Sequence, residues 1–580
     1  MKLIFITTTL LLFALNNTYA QNTWHKCGFD RAIQQFEQQQ PGYKQHIDAV
    51  FDEATRLGQQ TQYNRVIHTI PVAVHVVWKT PNEKLSECAI SEQIEILNED
   101  YRRQNADAGN LRPIFNSIAA DTEIKFRLDT IIWTQSNVDF ATLGPFGGLF
   151  PDPTSIDSVK GTSLPLDPDQ YLNIWTLNLG SGGLLGYAYP PDSLPNWPAG
   201  ASAPSKSKEG VVLHYEIVGG AKSITLAGSF GAPPTTINTQ GRTAVHEVGH
   251  YLGLRHIWGD GTTGGLFPQP SCSVDDGIGD TPNCLDRSNF DCDTTKNSCD
   301  TTLINDLPDM IENYMDYSSE SCMNSFTTGQ KILMKGVLNG PRAGLATAPV
   351  KIRPAYDAVY NAQVLAVSTG NSCTSTFAAS NLNASISIPD APCMGTIAND
   401  VWFSFTATSA DLVLEVTNIT NITGASTAMA YELFGGTCDS LSSLGCGNAG
   451  NNPLSGLNAG TVYYLRVYSM SPMDVHNFDI CLRNNNIVST QQIEQILSQS
   501  VHLSPNPTAG DINIEIDNNI SFEGFLSVKN LLGQTITPPI SIDNNNRQYT
   551  LSLANENNGL YLIEFRMNNH TIIKKVLLQK

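Results

Sequence analysis

The chain has 580 residues, enough for about four domains at roughly 150 residues each, so one compact domain is excluded. Hydrophobic residues make up 41% and charged residues 15%, a balance that builds cores and argues against disorder. With 34 Lys+Arg against 54 Asp+Glu the net charge is −20, and with no basic block to follow a phosphate backbone, nucleic acid is not an expected partner.

In chain order, Lys2 precedes an apolar stretch from Leu3 to Leu15, and the polar run after it ends at Ala20, a small residue suited to signal peptidase. Residues 1–20 therefore read as a signal peptide, since the stretch falls short of the roughly 20 residues that span a membrane. No later apolar run has spanning length, so the mature chain is expected outside the cytoplasm, where paired cysteines read as disulfides. Residues 21–65 are polar and Gln-rich, with Cys27 and helix-like spacing after it. From Val66 the run Thr69 to Val77 predicts a buried strand, and Ile90, Ile94, Leu97 and Tyr101 recur at helical spacing. Ile124, Phe126 and Leu128 alternate with polar residues as a half-exposed strand does, and residues 171–179 and 210–215 add two more strands. The interval between those two is rich in Gly, Pro and Ser, which predicts long loops. His75 and His214 are expected to pack within strands. After Pro341 short strands such as 400–405 and 463–467 alternate with Gly, Asn and Ser turns, a β-sandwich pattern. A linker near 484–498 leads to a last block of short strands that lacks cysteine.

The segment that carries chemistry is His246-Glu247-Val248-Gly249-His250-Tyr251-Leu252-Gly253-Leu254-Arg255-His256. Histidines four apart share one helical face and can converge on one metal ion. Gly253 suits the left-handed residue that ends a helix, which brings His256 round as a third ligand. Three nitrogens leave a fourth position open for water, the arrangement of a catalytic zinc site, and Glu247 is the candidate general base. At average residue frequencies these five fixed residues coincide by chance in about one such chain in 10⁵.

The same residues match the extended zinc signature of the metzincins, which adds a methionine turn, here Asn313-Tyr314-Met315-Asp316-Tyr317. HEVGHYLGLRHIWGD, ENYMDY with Cys322-Met323, and YLNIWTLNLG with LLGYA together resemble the pappalysin family, particularly its cytophagalysin branch, over residues 27–338. The resemblance implies an α+β metzincin catalytic domain at 66–345, built from a mixed sheet with active-site and backing helices. It implies that Met315 supports the histidines, that Tyr317 stabilises the oxyanion, and that Cys27 of a pro-segment at 21–65 occupies the fourth zinc position of a latent zymogen until removal near Asn64-Arg65. A thiolate is a strong zinc ligand, which makes that arrangement chemically apt. It also implies structural calcium at the Gly-rich acidic loop Ser273 to Pro282, with Asp276 and Thr281 as ligands. The six cysteines between Val66 and Pro341 allow 15 connectivities. The family pattern implies Cys272 with Cys299 and Cys292 with Cys322, which leaves Cys88 for Cys284. Residues 318–321 would wall the pocket for the residue after the cut; Ser321 stands where relatives that prefer a basic residue carry an acid, and Glu320 lies one position away.

The block at 351–484 holds five cysteines, of which Cys438 and Cys446 are the expected local bridge, and resembles β-sandwich modules of secreted hydrolases. The block at 499–580, with Leu503-Ser504-Pro505-Asn506-Pro507 and Asn530-Leu531-Leu532-Gly533, resembles the type IX secretion sorting domain. Two all-β sandwich domains are therefore expected after the catalytic domain. The reading is a secreted or surface-attached zinc endopeptidase acting on protein or peptide substrates and exported by the type IX secretion machinery. The rivals are a surface adhesin with an inactive metallo-domain and a non-peptide metallohydrolase; residues 184–189 disfavour the second, since they suit an extended peptide adding to a sheet.

Overall fold

The structure is a computed structural model and describes residues 26–580 except 62–64, 145–151, 181, 192–205, 227–233, 260–270, 300–306, 349–352, 371, 387–392, 394, 396, 425, 485–489, 518–521 and 568–569. The expected signal peptide with its cut after Ala20, and the Asn64 side of the expected activation bond, lie outside the described residues. The chain divides into two compact units, residues 1–367 with 375–482, and residues 368–374 with 483–580.

The first unit begins with helices α1 (Phe29–Gln39) and α2 (Tyr43–Thr61), followed by β1 (His68–Trp78), α3 (Glu87–Tyr101), β2 (Ala119–Ala120) and β3 (Ile124–Gln135). The one-turn helices α4 (Pro153–Ile156) and α5 (Val159–Thr162) precede β4 (Leu172–Leu177), β5 (Gly186–Ala188) and β6 (Val211–His214). A hairpin of β7 (Lys222–Leu226) and β8 (Thr235–Thr239) leads into α6 (Arg242–Tyr251), and β9 (Phe326–Thr327) runs directly into α7 (Thr328–Asn339). The main sheet has the order β3-β1-β4-β6-β5. Its first four strands are parallel, and β5 closes one edge antiparallel to β6. The apolar run in β1 follows from its place inside the sheet, where both faces are covered and residues 70–77 are all buried.

The two strand histidines are core residues. His75 is fully buried between Ser163 Oγ at 2.9 Å and Asn173 Oδ1 at 3.0 Å and stacks on Trp175, and burial pushes its pKa down to about 4. His214 lies in β6, where its Nδ1 accepts from the Leu179 N–H at 3.1 Å.

Helix α2 docks on α7 at unusually close range. A Cβ on Gly336 would sit 1.7 Å from the Ala54 carbonyl oxygen, and one on Gly58 would sit 1.9 Å from the Ile332 carbonyl oxygen. The absent side chains let the two backbones approach.

Beyond Gly340 the first unit continues as two largely antiparallel sheets around a second core that includes Phe403, Phe405, Leu414, Leu465, Val467 and Ile480. The second unit has a three-stranded and a four-stranded sheet enclosing Ile514, Leu526, Val528, Ile563 and Phe565. The linker region contains a helix, Thr490–Gln499, which its polar composition had concealed. Among the described residues no helix is long and apolar enough to cross a membrane.

The structure pairs Cys272 with Cys299 and Cys292 with Cys322. Two other expected pairings are replaced. Cys88, at the start of α3, joins Cys438, 350 residues away, with a Cα separation of 5.9 Å, and Cys284 is a buried thiol. Cys446 joins Cys393 instead of Cys438. The reason lies in the hairpin: Cys438 sits at its turn, while Cys446 lies opposite Glu432, five register steps from the Thr437/Ser440 pair, or roughly 17 Å along the strand. A disulfide requires Cα atoms within about 7 Å, so proximity in sequence misleads here. Cys373 and Cys481 are disulfide-bonded as well, and the odd cysteine count of the accessory block is resolved by Cys88.

Candidate metal centre

All ten residues of α6 are buried, so the helix carrying the first two histidines runs through the core rather than along the surface. Its start is held by Arg242, whose guanidinium pairs with Asp100 and Asp107. It is also held by Glu320, a residue that spacing had suggested only as a pocket acid. The Glu320 carboxylate accepts from the backbone N–H groups of Gln240, Arg242 and Thr243 and from the hydroxyls of Thr239 and Thr243. Burial alone would raise its pKa, but Lys26 and these donors hold it below the usual carboxylate range. An ionised carboxylate at a helix N-terminus is also favoured by the helix dipole.

At its other end α6 stops at Leu252. Gly253 has φ of 94°, and the Leu254 N–H donates to the Gly249 carbonyl at 2.9 Å, which turns the chain and returns His256 to the first two histidines. His250 Nε2 lies 3.1 Å from His246 Nε2 and 3.1 Å from His256 Nε2, and all three imidazoles are fully buried. Cys27 Sγ joins them, the four ligand atoms lying within 4.8 Å of one another. The donor set fits zinc: two Zn–N bonds of about 2.0–2.1 Å at a tetrahedral angle hold their nitrogens roughly 3.3 Å apart. Burial and the neighbouring imidazoles push His246 well below its usual pKa, so its ring is neutral, as a metal ligand must be.

Met315 lies directly beneath α6. A Cβ on Gly249 would come within 2.5 Å of Met315 Sδ, which explains the small residue in the middle of the histidine motif. Its turn is fixed by Asn313, whose side chain accepts from the Met315 N–H at 3.0 Å and exchanges two hydrogen bonds with Gln330 of α7. A Gly249→Ala variant should lose about 1–3 kcal/mol through overpacking and melt roughly 3–10 °C lower. An unchanged melting midpoint would contradict this packing.

Glu247 is fully buried beside the cluster, and burial pushes its pKa up to about 8. Its Oε2 accepts from the Cys27 thiol at 3.3 Å, while Oε1 is a buried oxygen without a hydrogen-bond partner among the described residues. The Tyr317 hydroxyl accepts from the Cys27 N–H and donates to the Cys27 carbonyl, both at 3.2 Å. The segment holding Cys27 lies along the edge strand β5. The Lys26 carbonyl accepts from the N–H groups of Leu185 and Gly186, and the Gly28 N–H donates to the Gly186 carbonyl at 2.9 Å. The Lys26 side chain is fully buried, its ammonium 3.4 Å from Met323 Sδ. Burial lowers its pKa, while the nearby carboxylates of Glu320, Asp316 and Glu247 oppose that shift. Composition gave no signal for this burial, because a lysine beside a cysteine reads as surface.

Asp276 and Thr281 also come together. The buried Asp276 carboxylate accepts from the Ile278 N–H and the Thr281 hydroxyl, and that hydroxyl lies 2.6 Å from the Ile278 carbonyl oxygen.

Residues 220–339 match the family described as pregnancy-associated plasma protein-A, residues 355–480 a galactose binding domain-like family, and residues 502–579 a secretion system C-terminal sorting domain. An extracellular metalloprotease of Pyricularia oryzae is 30% identical over 281 residues, covering 48% of this chain and 77% of that protein. One from Arthroderma gypseum is 27% identical over 265 residues, covering 45% and 69%. Among solved structures, a promirolysin mutant of Tannerella forsythia is 30% identical, covering 56% of this chain and 97% of that one with a TM-score of 0.43. Mature mirolysin from the same organism, in complex with a cleaved peptide, is 33% identical, covering 48% and 95% with a TM-score of 0.38. The chain belongs to the pregnancy-associated plasma protein-A family, and it is a secreted or cell-surface zinc metalloendopeptidase with a C-terminal secretion sorting domain.

Proposed function

We propose that His246, His250 and His256 hold the catalytic zinc, that Glu247 is the general base and acid, and that the chain is made as a latent precursor closed by Cys27. The observation that carries this reading is the buried convergence of three Nε2 atoms and the Cys27 sulfur beside a carboxylate. Zinc in such a site supplies Lewis acidity, which acidifies water and polarises the scissile carbonyl. Once Cys27 withdraws, Glu247 stands where it can take a proton from the attacking water at one carboxylate oxygen and return it to the leaving amine. Tyr317, released from the Cys27 backbone, can donate its O–H to the developing oxyanion. Met315 supports the ligands from below.

Latency then has a structural account in three contacts. The thiol occupies the metal position, the Lys26 and Gly28 backbone fills the edge of β5 where an extended substrate would add, and α2 is anchored on α7. The pro-segment corresponds to residues 21–65, the catalytic domain to 66–345, the accessory sandwich to 351–484 and the sorting domain to 499–580. Asp276 and Thr281, with the Ile278 carbonyl, are the oxygen ligands offered to a structural calcium ion.

The Lys26 ammonium is buried beside Met323, where the carboxylates of Glu320, Asp316 and Glu247 favour its charge, and this supports a pocket that accepts a basic side chain. The substrate reading is therefore a preference for Arg or Lys after the cut, and the bond Asn64-Arg65 has that form, which makes self-removal of the pro-segment chemically consistent. Incubation of the processed enzyme with a peptide library tests this. Cuts that precede Arg or Lys and vanish with a zinc chelator are expected, and chelator-sensitive cuts without a basic residue after them would remove the specificity claim.

A further inference from the structure

We propose that Asp157 is a positioning residue for the substrate: it anchors Tyr187 and Tyr189 from one face of the sheet and so keeps the edge strand β5 formed for an extended peptide after the pro-segment has left. The proposal rests on the reading above that substrate adds along β5, and goes beyond it by naming what holds that edge in place.

The strand β5 needs an anchor of this kind. It runs only from Gly186 to Ala188 and lies at the end of the sheet, paired with Leu213 to Val211 of β6. So short a strand carries few ladder hydrogen bonds to set against the entropy of ordering its backbone. In the precursor the other side of β5 is taken up by the backbone of Lys26 and Gly28, and Phe36 of α1 packs on the Tyr189 ring with centroids 5.3 Å apart. Both contacts depart with the pro-segment, whereas a substrate binds most tightly to an edge that is already in place.

Side chains alternate between the two faces of a strand. Gly186 faces α6, where a Cβ would meet the Glu247 Cγ, so Tyr187 and Tyr189 point to the opposite face. There the chain between α4 and α5 presents Asp157. Its Oδ1 accepts from the Tyr187 hydroxyl at 3.0 Å and its Oδ2 from the Tyr189 hydroxyl at 2.7 Å. Lys160 of α5 pairs with Asp157 Oδ1 at 2.9 Å, donates to the Lys208 carbonyl and lies over the Tyr189 ring, 4.5 Å from its centroid. All four side chains are buried. Burial and the Asp157 carboxylate push both tyrosine pKa values well up, so the hydroxyls stay protonated donors. A buried carboxylate held by a cation and two hydroxyls has one geometry, and it fixes both tyrosines with it. Every member of this network follows Arg65 in the chain, so the network outlasts removal of the pro-segment.

Asp157 also has a plainer use, since a satisfied buried network rigidifies whatever core contains it. Peptide length separates the two roles. Processed wild type, Asp157→Asn and the double variant Tyr187→Phe with Tyr189→Phe, which keeps both rings and the Asp157–Lys160 pair, are assayed with two peptides that share one scissile bond. The first is short, and the second is extended on each side by about 13 Å of strand. Wild type is expected to favour the extended peptide through a lower KM. In both variants that KM ratio is expected to shrink about tenfold, the equivalent of leaving one backbone residue to be ordered at each binding event. A lower melting midpoint, or a fall in kcat for both peptides alike, with the wild-type KM ratio kept, overturns the proposal and leaves Asp157 a core residue. Should Asp157→Asn fold poorly, the double variant decides alone, since a wild-type ratio from it likewise overturns the proposal. A wild-type enzyme that does not distinguish the two peptides overturns the edge-strand reading itself, an outcome distinct from a wild-type preference that the variants share.

Discussion

Glu247→Gln in the processed enzyme is expected to lower kcat by about 10²–10⁴-fold, or roughly 3–5.5 kcal/mol in the barrier, with zinc content and melting midpoint unchanged. The amide matches the carboxylate in size, so the packing of α6 against Gly186, where a Cβ would meet the Glu247 Cγ at 2.8 Å, is preserved. What is lost is the ability to accept and return a proton from a buried position next to the metal ligands. Peptide hydrolysis under substrate saturation, with zinc measured on the same samples, checks both halves. Retained turnover would remove Glu247 from the chemistry, and a loss of zinc would mean that the substitution acts on the site rather than on the proton.

Cys27→Ser in the full-length precursor is expected to convert to the processed form at least about tenfold faster than wild type, which corresponds to about 1.4 kcal/mol of lost closure. A serine hydroxyl is a far weaker zinc ligand than a thiolate. The remaining contacts, the Lys26 and Gly28 hydrogen bonds to β5 and the docking of α2 on α7, keep the segment in place but leave the metal position open to water. Appearance of a new N-terminus near Arg65, followed over time, is the readout. Conversion at the wild-type rate would place latency in the helical anchor alone.

Local chemistry in the site was legible because it is written in consecutive spacing. Two histidines four apart share a helical face by geometry, and Gly253 announces the turn that returns His256; the structure has that glycine at positive φ. Residues 184–189, expected as an edge to which an extended peptide adds, hold the strand that receives the Lys26 and Gly28 backbone. What spacing could not carry is partnership across long stretches of chain. Glu320 caps a helix that begins 78 residues earlier, Asn313 exchanges hydrogen bonds with Gln330, and Lys26 is buried beside Met323, 297 residues away. None of these has a periodic or compositional trace, since a polar residue looks the same whether it faces water or an internal donor. The cysteines make the same point from the other side. The expected pairings kept Cys88 and Cys438 each within its own segment, with Cys284 and Cys446, whereas tertiary packing of α3 against the accessory sandwich brings those two together.

One measurement bears most directly on the central claim. Processed enzyme is stripped of metal with a chelator, freed of the chelator, and titrated with zinc while the hydrolysis of a single peptide carrying one Arg bond is followed. No hydrolysis by the stripped enzyme, and full recovery at a single zinc equivalent in wild type but not in His250→Ala, is the predicted result; hydrolysis that persists in the stripped enzyme, or recovers equally in His250→Ala, would contradict it.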